Sequence, residues 1–130
     1  MNILDHMGLS VADLDRALAF YEKALAPLQI SLVMRVTAEQ AGGHAAAGLG
    51  RSGKPSFWLS AEGKTHPHTH IAFVADNRAA VDAFYRAALA AGGSDNGAPG
   101  PRPIYHPNYY GAFVLDPDGH NIEAVCHAPV

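Results

Sequence analysis

HMGLSVADLDRALAFYEKALA, residues 6–26, can be laid without a gap over HIAFVADNRAAVDAFYRAALA, residues 70–90. His6 then falls on His70, Phe20 and Tyr21 fall on Phe84 and Tyr85, and Ala24, Leu25 and Ala26 fall on Ala88, Leu89 and Ala90. Self-similarity at a fixed offset points to architecture before any local propensity is consulted. The offset here is 64, so two copies account for nearly all of the 130 residues. Each copy opens with a short run of strand character, MGLSV or IAFVA, and passes an Asp or Asn suited to a helix N-cap. Helical spacing follows in both: Leu14, Leu18, Tyr21 and Leu25, then Val81, Phe84 or Tyr85, and Ala88 or Leu89. Pro27 cannot continue the first helix, and Gly92 and Gly93 cap the second.

Strand-like segments follow each helix. After the first come ISLVMRV (30–36), GGHAAAGLG (42–50) and PSFWLSA (55–61). After the second comes a Gly- and Pro-rich stretch, whose four prolines over 97–108 leave it open between loop and the second strand of module two, and then YYGAFVLDP and NIEAVCH. Asp116, Pro117, Asp118 and Gly119 suit a type I turn, so the last two segments pair as a hairpin. The expected architecture is α+β: two tandem βαβββ modules, about 1–64 and about 65–130, within one domain.

Composition narrows the function classes. At 48% hydrophobic and 16% charged, the chain suits one globular domain with a real core. A net charge of -3 leaves no basic field for nucleic acid. No apolar run approaches the roughly 18 residues of a membrane span, and MNILDHMGLS lacks a basic and apolar leader. Cys126 is the one cysteine, which agrees with a reducing compartment and reads as a small buried hydrophobe on a strand. A cytoplasmic protein is expected.

Three stretches, DHMGLSVADLDRALAFYEKAL, HIAFVADNRAAVDAFYRAAL and YYGAFVLDPDGHNIEAV, resemble the vicinal oxygen chelate superfamily, which includes glyoxalase I, fosfomycin-resistance thiol transferases, bleomycin-resistance proteins and extradiol dioxygenases. The resemblance covers essentially the whole chain. It implies that the modules curl into an open, incompletely closed barrel with the helices outside, and that His6, His70 and Glu123 hold a divalent metal ion (Fe, Mn, Zn, Ni or Co) on the concave side. Strand alternation supports the same positions: His6, Gly8 and Ser10 share one face, His70 lies opposite Ile71 and Phe73, and Glu123 lies opposite Ile122 and Ala124. Two imidazoles and a carboxylate form a facial triad with open positions for substrate. Within HPHTH, Pro67 argues against a paired strand, so His70 is the ligand and His66 and His68 are loop residues at the rim.

Glyoxalase I takes a fourth ligand, a Glu that also serves as base, from the last strand of module one. Subtracting the offset from Glu123 lands here on Leu59, with Trp58 beside it, and only a register shift would bring in Glu62. The resemblance therefore favours a three-ligand site over glyoxalase I chemistry. Tyr105, His106, Tyr109 and Tyr110 lie just before the strand that pairs with the Glu123 strand, and His106 and Tyr110 are the candidate catalytic groups among them. Two classes stay open. One is a metal-dependent lyase, transferase or dioxygenase acting on a small molecule that chelates through oxygens; the other is a metal-free, drug-sequestering binding protein. A homodimer is expected, with the modules paired either within one chain or across two.

Overall fold

Asp13 and Asn77 start the two helices that the repeat predicts. In the computed structural model, which describes residues 3–129, the Asp13 carboxylate accepts from the Arg16 amide at 3.1 Å and the Asn77 side chain accepts from the Ala80 amide at 2.8 Å. Each bond satisfies one of the amides that a helix start leaves free. Helix α1 spans Leu14–Leu25 and is followed by a 3-10 turn containing Pro27. Around it in module one lie β1 (Met7–Ser10), β2 (Ser31–Val36), a short helix α2 (Ala38–Ala41), β3 (Ala46–Gly50) and β4 (Phe57–Ser60). Module two comprises β5 (His70–Val74), α3 (Arg78–Ala90), β6 (Ser94–Pro101), β7 (Tyr110–Leu115) and β8 (Asn121–Cys126).

Each module builds its own four-stranded sheet, in the orders β1-β4-β3-β2 and β5-β8-β7-β6. The first strand of each module runs parallel to its last, and the other pairs are antiparallel. No closed barrel forms among the described residues, because the two sheets share no strand pairing.

The sequence reading leaves β6 open between loop and strand and does not include α2. The Gly- and Pro-rich stretch contributes β6, whose eight residues include Pro99 and Pro101 and which completes the expected βαβββ module. It sits at the sheet edge with register shifts against β7, the place where prolines and bulges cost least. The addition, α2, is held by a reciprocal cap in which Thr37 Oγ1 accepts from the Gln40 amide and Gln40 Oε1 accepts from the Thr37 amide. That signal, Thr followed three residues later by Gln, was present in the sequence.

Strand alternation sends Leu9, Phe57, Leu59, Ala47 and Leu49 of sheet one, and Ile71, Ile122, Ala124, Ala112 and Val114 of sheet two, into one continuous core with α1 and α3. The helices pack on each other as well as on the sheets. An edge-to-face chain of rings, Phe20, Tyr21, Phe57 and Phe73, crosses from module one into module two. Burying side chains of this size contributes about 2 kcal/mol each.

The β7–β8 turn joins the modules by polar contacts. Gly119 takes a left-handed backbone (φ +90°) and closes the turn through its amide to the Asp116 carbonyl. Asp116 accepts from the Asp118 and His120 amides on one oxygen and from the Tyr21 hydroxyl of α1 on the other, at 2.5 Å. Buried His120 accepts from the Thr69 amide at Nδ1 (3.0 Å), which leaves Nε2–H to donate to the Ser10 carbonyl of β1 (3.1 Å). Cys126 is buried on β8, as expected from the sequence.

Candidate metal and substrate site

The face of each sheet turned away from the core carries the candidate site residues. In sheet two its central row, read across paired strands, is Ala72, Glu123, Phe113 and Gly97. Glu123 is only 2% exposed. A buried carboxylate is costly unless it is paired, and here both of its oxygens have partners. His70 Nε2 lies 3.1 Å from Oε1, and the Tyr109 hydroxyl donates to Oε2. The His70 side chain is half exposed and stacks on Phe113, with ring centroids 6.2 Å apart. His70, Tyr105, Tyr109, Phe113, Asn121 and Glu123 line an open recess of about 490 Å³. Burial, then the bond to Glu123, raises the Tyr109 phenol well above its usual range.

His70 and Glu123 therefore come together, and His6 does not join them within the chain. His6 precedes β1, is 61% exposed in its side chain, and bonds the Asp5 carboxylate at 2.7 Å. Asp5 also pairs with Lys54 at 2.6 Å, and these two neighbours, Lys54 first, hold its carboxyl below the usual range. This group lines a separate cleft of about 540 Å³ with Met7, Phe57 and Phe73. Among the described residues, no three His, Cys, Asp or Glu side chains are close enough to hold one metal ion. His70 and Glu123 thus form an imidazole–carboxylate pair in contact on an open face, donor types that suit a divalent cation. A third such side chain would have to come from outside the described residues.

The tyrosine that reaches the carboxylate is Tyr109, and not Tyr110. Tyr110 is the first residue of β7 and sits on the opposite face, where its hydroxyl donates to Asp82 of α3 at 2.7 Å and Arg78 lies over its ring. Adjacent strand residues point in opposite directions, so register alone separates the two. His106 is exposed beyond the recess; its Nδ1 accepts from the Asn108 amide and its ring meets His127. His66 and His68 contact each other outside any strand, their rings tilted by 37° at 4.4 Å, and the His68 ring lies against Gly119.

Sheet one corrects the fourth-ligand position. Ala72 pairs with Glu123, and its counterpart Gly8 pairs with Trp58. Trp58, and not Leu59, thus stands where module two has its carboxylate. Leu59 faces the core and is fully buried, and Glu62 lies exposed beyond β4. The complete row is Gly8, Trp58, Gly48 and Met34. A constant sequence offset misses this because module one is one residue shorter between its first strand and β3: Gly48 follows Gly8 by 40 positions, whereas Phe113 follows Ala72 by 41.

The family model described as the Glyoxalase/Bleomycin resistance protein/Dioxygenase superfamily matches residues 3–124. No curated protein matches the sequence. Among solved structures, a glyoxalase/bleomycin resistance protein from Albidiferax ferrireducens T118 is 26% identical, with a TM-score of 0.76 over 96% of this chain and 98% of that one. A glyoxylase/bleomycin resistance protein/dioxygenase domain from Frankia sp. EAN1pec is 19% identical, with a TM-score of 0.73 over 97% and 98% of the two chains. Glyoxalase I from Zea mays is 22% identical with a TM-score of 0.70; the match covers 98% of this chain but 45% of that one. The last two likenesses concern the fold alone.

Proposed function

This chain belongs to the glyoxalase/bleomycin resistance protein/dioxygenase superfamily, and from that membership we propose that it is a metal-dependent enzyme acting on a small molecule that chelates the ion through oxygens. The observation that carries this reading is the His70–Glu123 contact at 3.1 Å on an open face, with the carboxylate nearly inaccessible to water. His70, Glu123 and a His6 from a second copy would hold a divalent ion, which would supply Lewis-acid polarisation of bound oxygens or, if iron, dioxygen chemistry. A symmetric dimer would pair module one of each copy with module two of the other, giving two such sites. The Tyr109 hydroxyl orients Glu123 and keeps its own proton at neutral pH. Trp58 at the fourth position leaves no carboxylate there to act as base, so lyase, transferase or dioxygenase chemistry fits better than glyoxalase I isomerisation.

Complementation tests the shared site. His6→Ala and Glu123→Gln chains should each bind little Co²⁺ alone. Refolded together, they should regain roughly a quarter of the wild-type sites, because each random heterodimer pairs an intact module one with an intact module two. Two inactive halves that never rescue each other, in a mixture shown to contain heterodimers, would sink the proposal.

A second reading has its own support. The Tyr109 hydroxyl and His70 already satisfy Glu123 without an ion, as a metal-free binding protein would require. Metal content after purification without chelator separates the two.

A further inference from the structure

We propose that Trp58 is a stacking platform, which selects substrates carrying a flat aromatic or heteroaromatic ring beside their chelating oxygens. This deepens the preceding reading and rests on it, since the platform must face the metal half-site across the assembled cavity.

The indole is held flat by its neighbours. A Cβ at Gly48 would stand 2.9 Å from Trp58 Cζ2 and 2.8 Å from Pro55 Cβ, so only glycine lets the ring lie against β3. Trp58 Nε1–H donates to the Pro55 carbonyl at 3.0 Å, which fixes the ring edge. Trp58 is half-buried: its ring lies close over Gly48, and part of the residue remains open. Gly8, on the other flank, has nothing within 4 Å of where a Cβ would stand, so the space beside the indole is free. Met34 completes the row and is exposed, adding a polarisable thioether without charge. No ionisable side chain lies in this row, whereas the row of module two carries Glu123. A preorganised ring between two glycines binds another ring in offset stacking with little ordering cost. The aromatic lining of the other recess, Tyr105, Tyr109 and Phe113, would close on the same ligand.

Salicylate and 2-hydroxyisobutyrate test this with the same donor set, a carboxylate beside a hydroxyl, differing in the ring. Trp58 is the sole tryptophan, so its indole N–H resonance reports on the platform alone. On the metal-loaded full chain, salicylate should bind about 5-fold more tightly than 2-hydroxyisobutyrate and shift that resonance. Trp58→Leu should bring the affinity ratio close to one, Trp58→Phe should retain part of it, and metal content serves as the control for folding. Equal affinities in the wild type, a ratio that survives Trp58→Leu, or salicylate bound without moving the indole would each overturn the proposal. An indole shift that persists unchanged in Glu123→Gln would support the platform while overturning the metal reading on which it was built.

Discussion

Module one and module two share strand order, a capped helix and a core face, yet the central rows of their open faces are nearly opposite in chemistry. Gly8, Trp58, Gly48 and Met34 occupy the positions that correspond to Ala72, Glu123, Phe113 and Gly97. Bulk and charge have changed places: the carboxylate of one row is an indole in the other, and the ring of one row is a glycine in the other. The core faces could not diverge this way, because each side chain there meets a close-packed neighbour and a change of volume is felt at once. The open faces have no such partner within the chain. A duplicated scaffold can therefore hold its backbone constant while one copy presents the paired His70 and Glu123 and the other an uncharged row around Trp58.

The sharpest way to break the comparison is to separate its halves. If the modules are complementary parts of a single domain, residues 1–64 alone should show no cooperative thermal transition as a monomer. They would uncover the core faces that α1 and sheet one share with module two, and lose the partners of Tyr21 and Phe57 there. A cooperative transition for that fragment would mean that the modules are independent.

Next in size is the asymmetry of metal affinity. His70→Ala and Glu123→Gln should each weaken Co²⁺ binding by more than ~100-fold, with His66→Ala and His68→Ala changing it by less than about 2-fold, within the scatter of surface substitutions. Loss of the metal on His68→Ala would move the site to the β7–β8 turn, where His68 now lies.

Smaller effects belong to the junction that both modules share. Tyr21→Phe removes the hydroxyl that Asp116 accepts, leaves a buried oxygen short of a partner, and should cost about 1–3 kcal/mol in urea titration. No loss would mean that the turn is held by its own amides and not by module one. The smallest effect is a slope. Burial, then Asp116, raises the Tyr21 phenol well above 10.0, and Tyr109 is raised in the same direction. The folded chain keeps these protons after the unfolded chain loses its own, so their stability is fully present below pH about 10 and declines above it. Urea midpoints from pH 8 to 11 should fall less steeply in Tyr21→Phe than in the wild type, and an equal slope would remove Tyr21 from the account.

Much of this was legible in order. The offset between His6 and His70 showed the repeat, and the Asp13 and Asn77 caps and the Asp116–Gly119 turn were read from local rules that the backbone obeys. The face on which His70 and Glu123 lie followed from a period of two. Strand β6 was left open between strand and loop because prolines argue against a strand until its edge position is known. His120 received no reading, and Tyr109 was named beside Tyr105, His106 and Tyr110 without being singled out, since nothing local marks a side chain whose partner is far along the chain.

The sequence by itself determined what depends on neighbours along the chain: helix starts and stops, the hairpin turn, and which strand residues share a face. Register, and the distance between modules, were decided only by tertiary structure. Register chose Trp58 over Leu59 and Tyr109 over Tyr110, because a slip of one residue turns a side chain to the other face. Packing of α1 against α3 joined the modules through their core sides and left His6 and His70 in separate recesses. Two residues matched by a repeat share a local environment; whether they meet depends on how the copies associate, and that follows from burial of both helices in one core, which no spacing encodes.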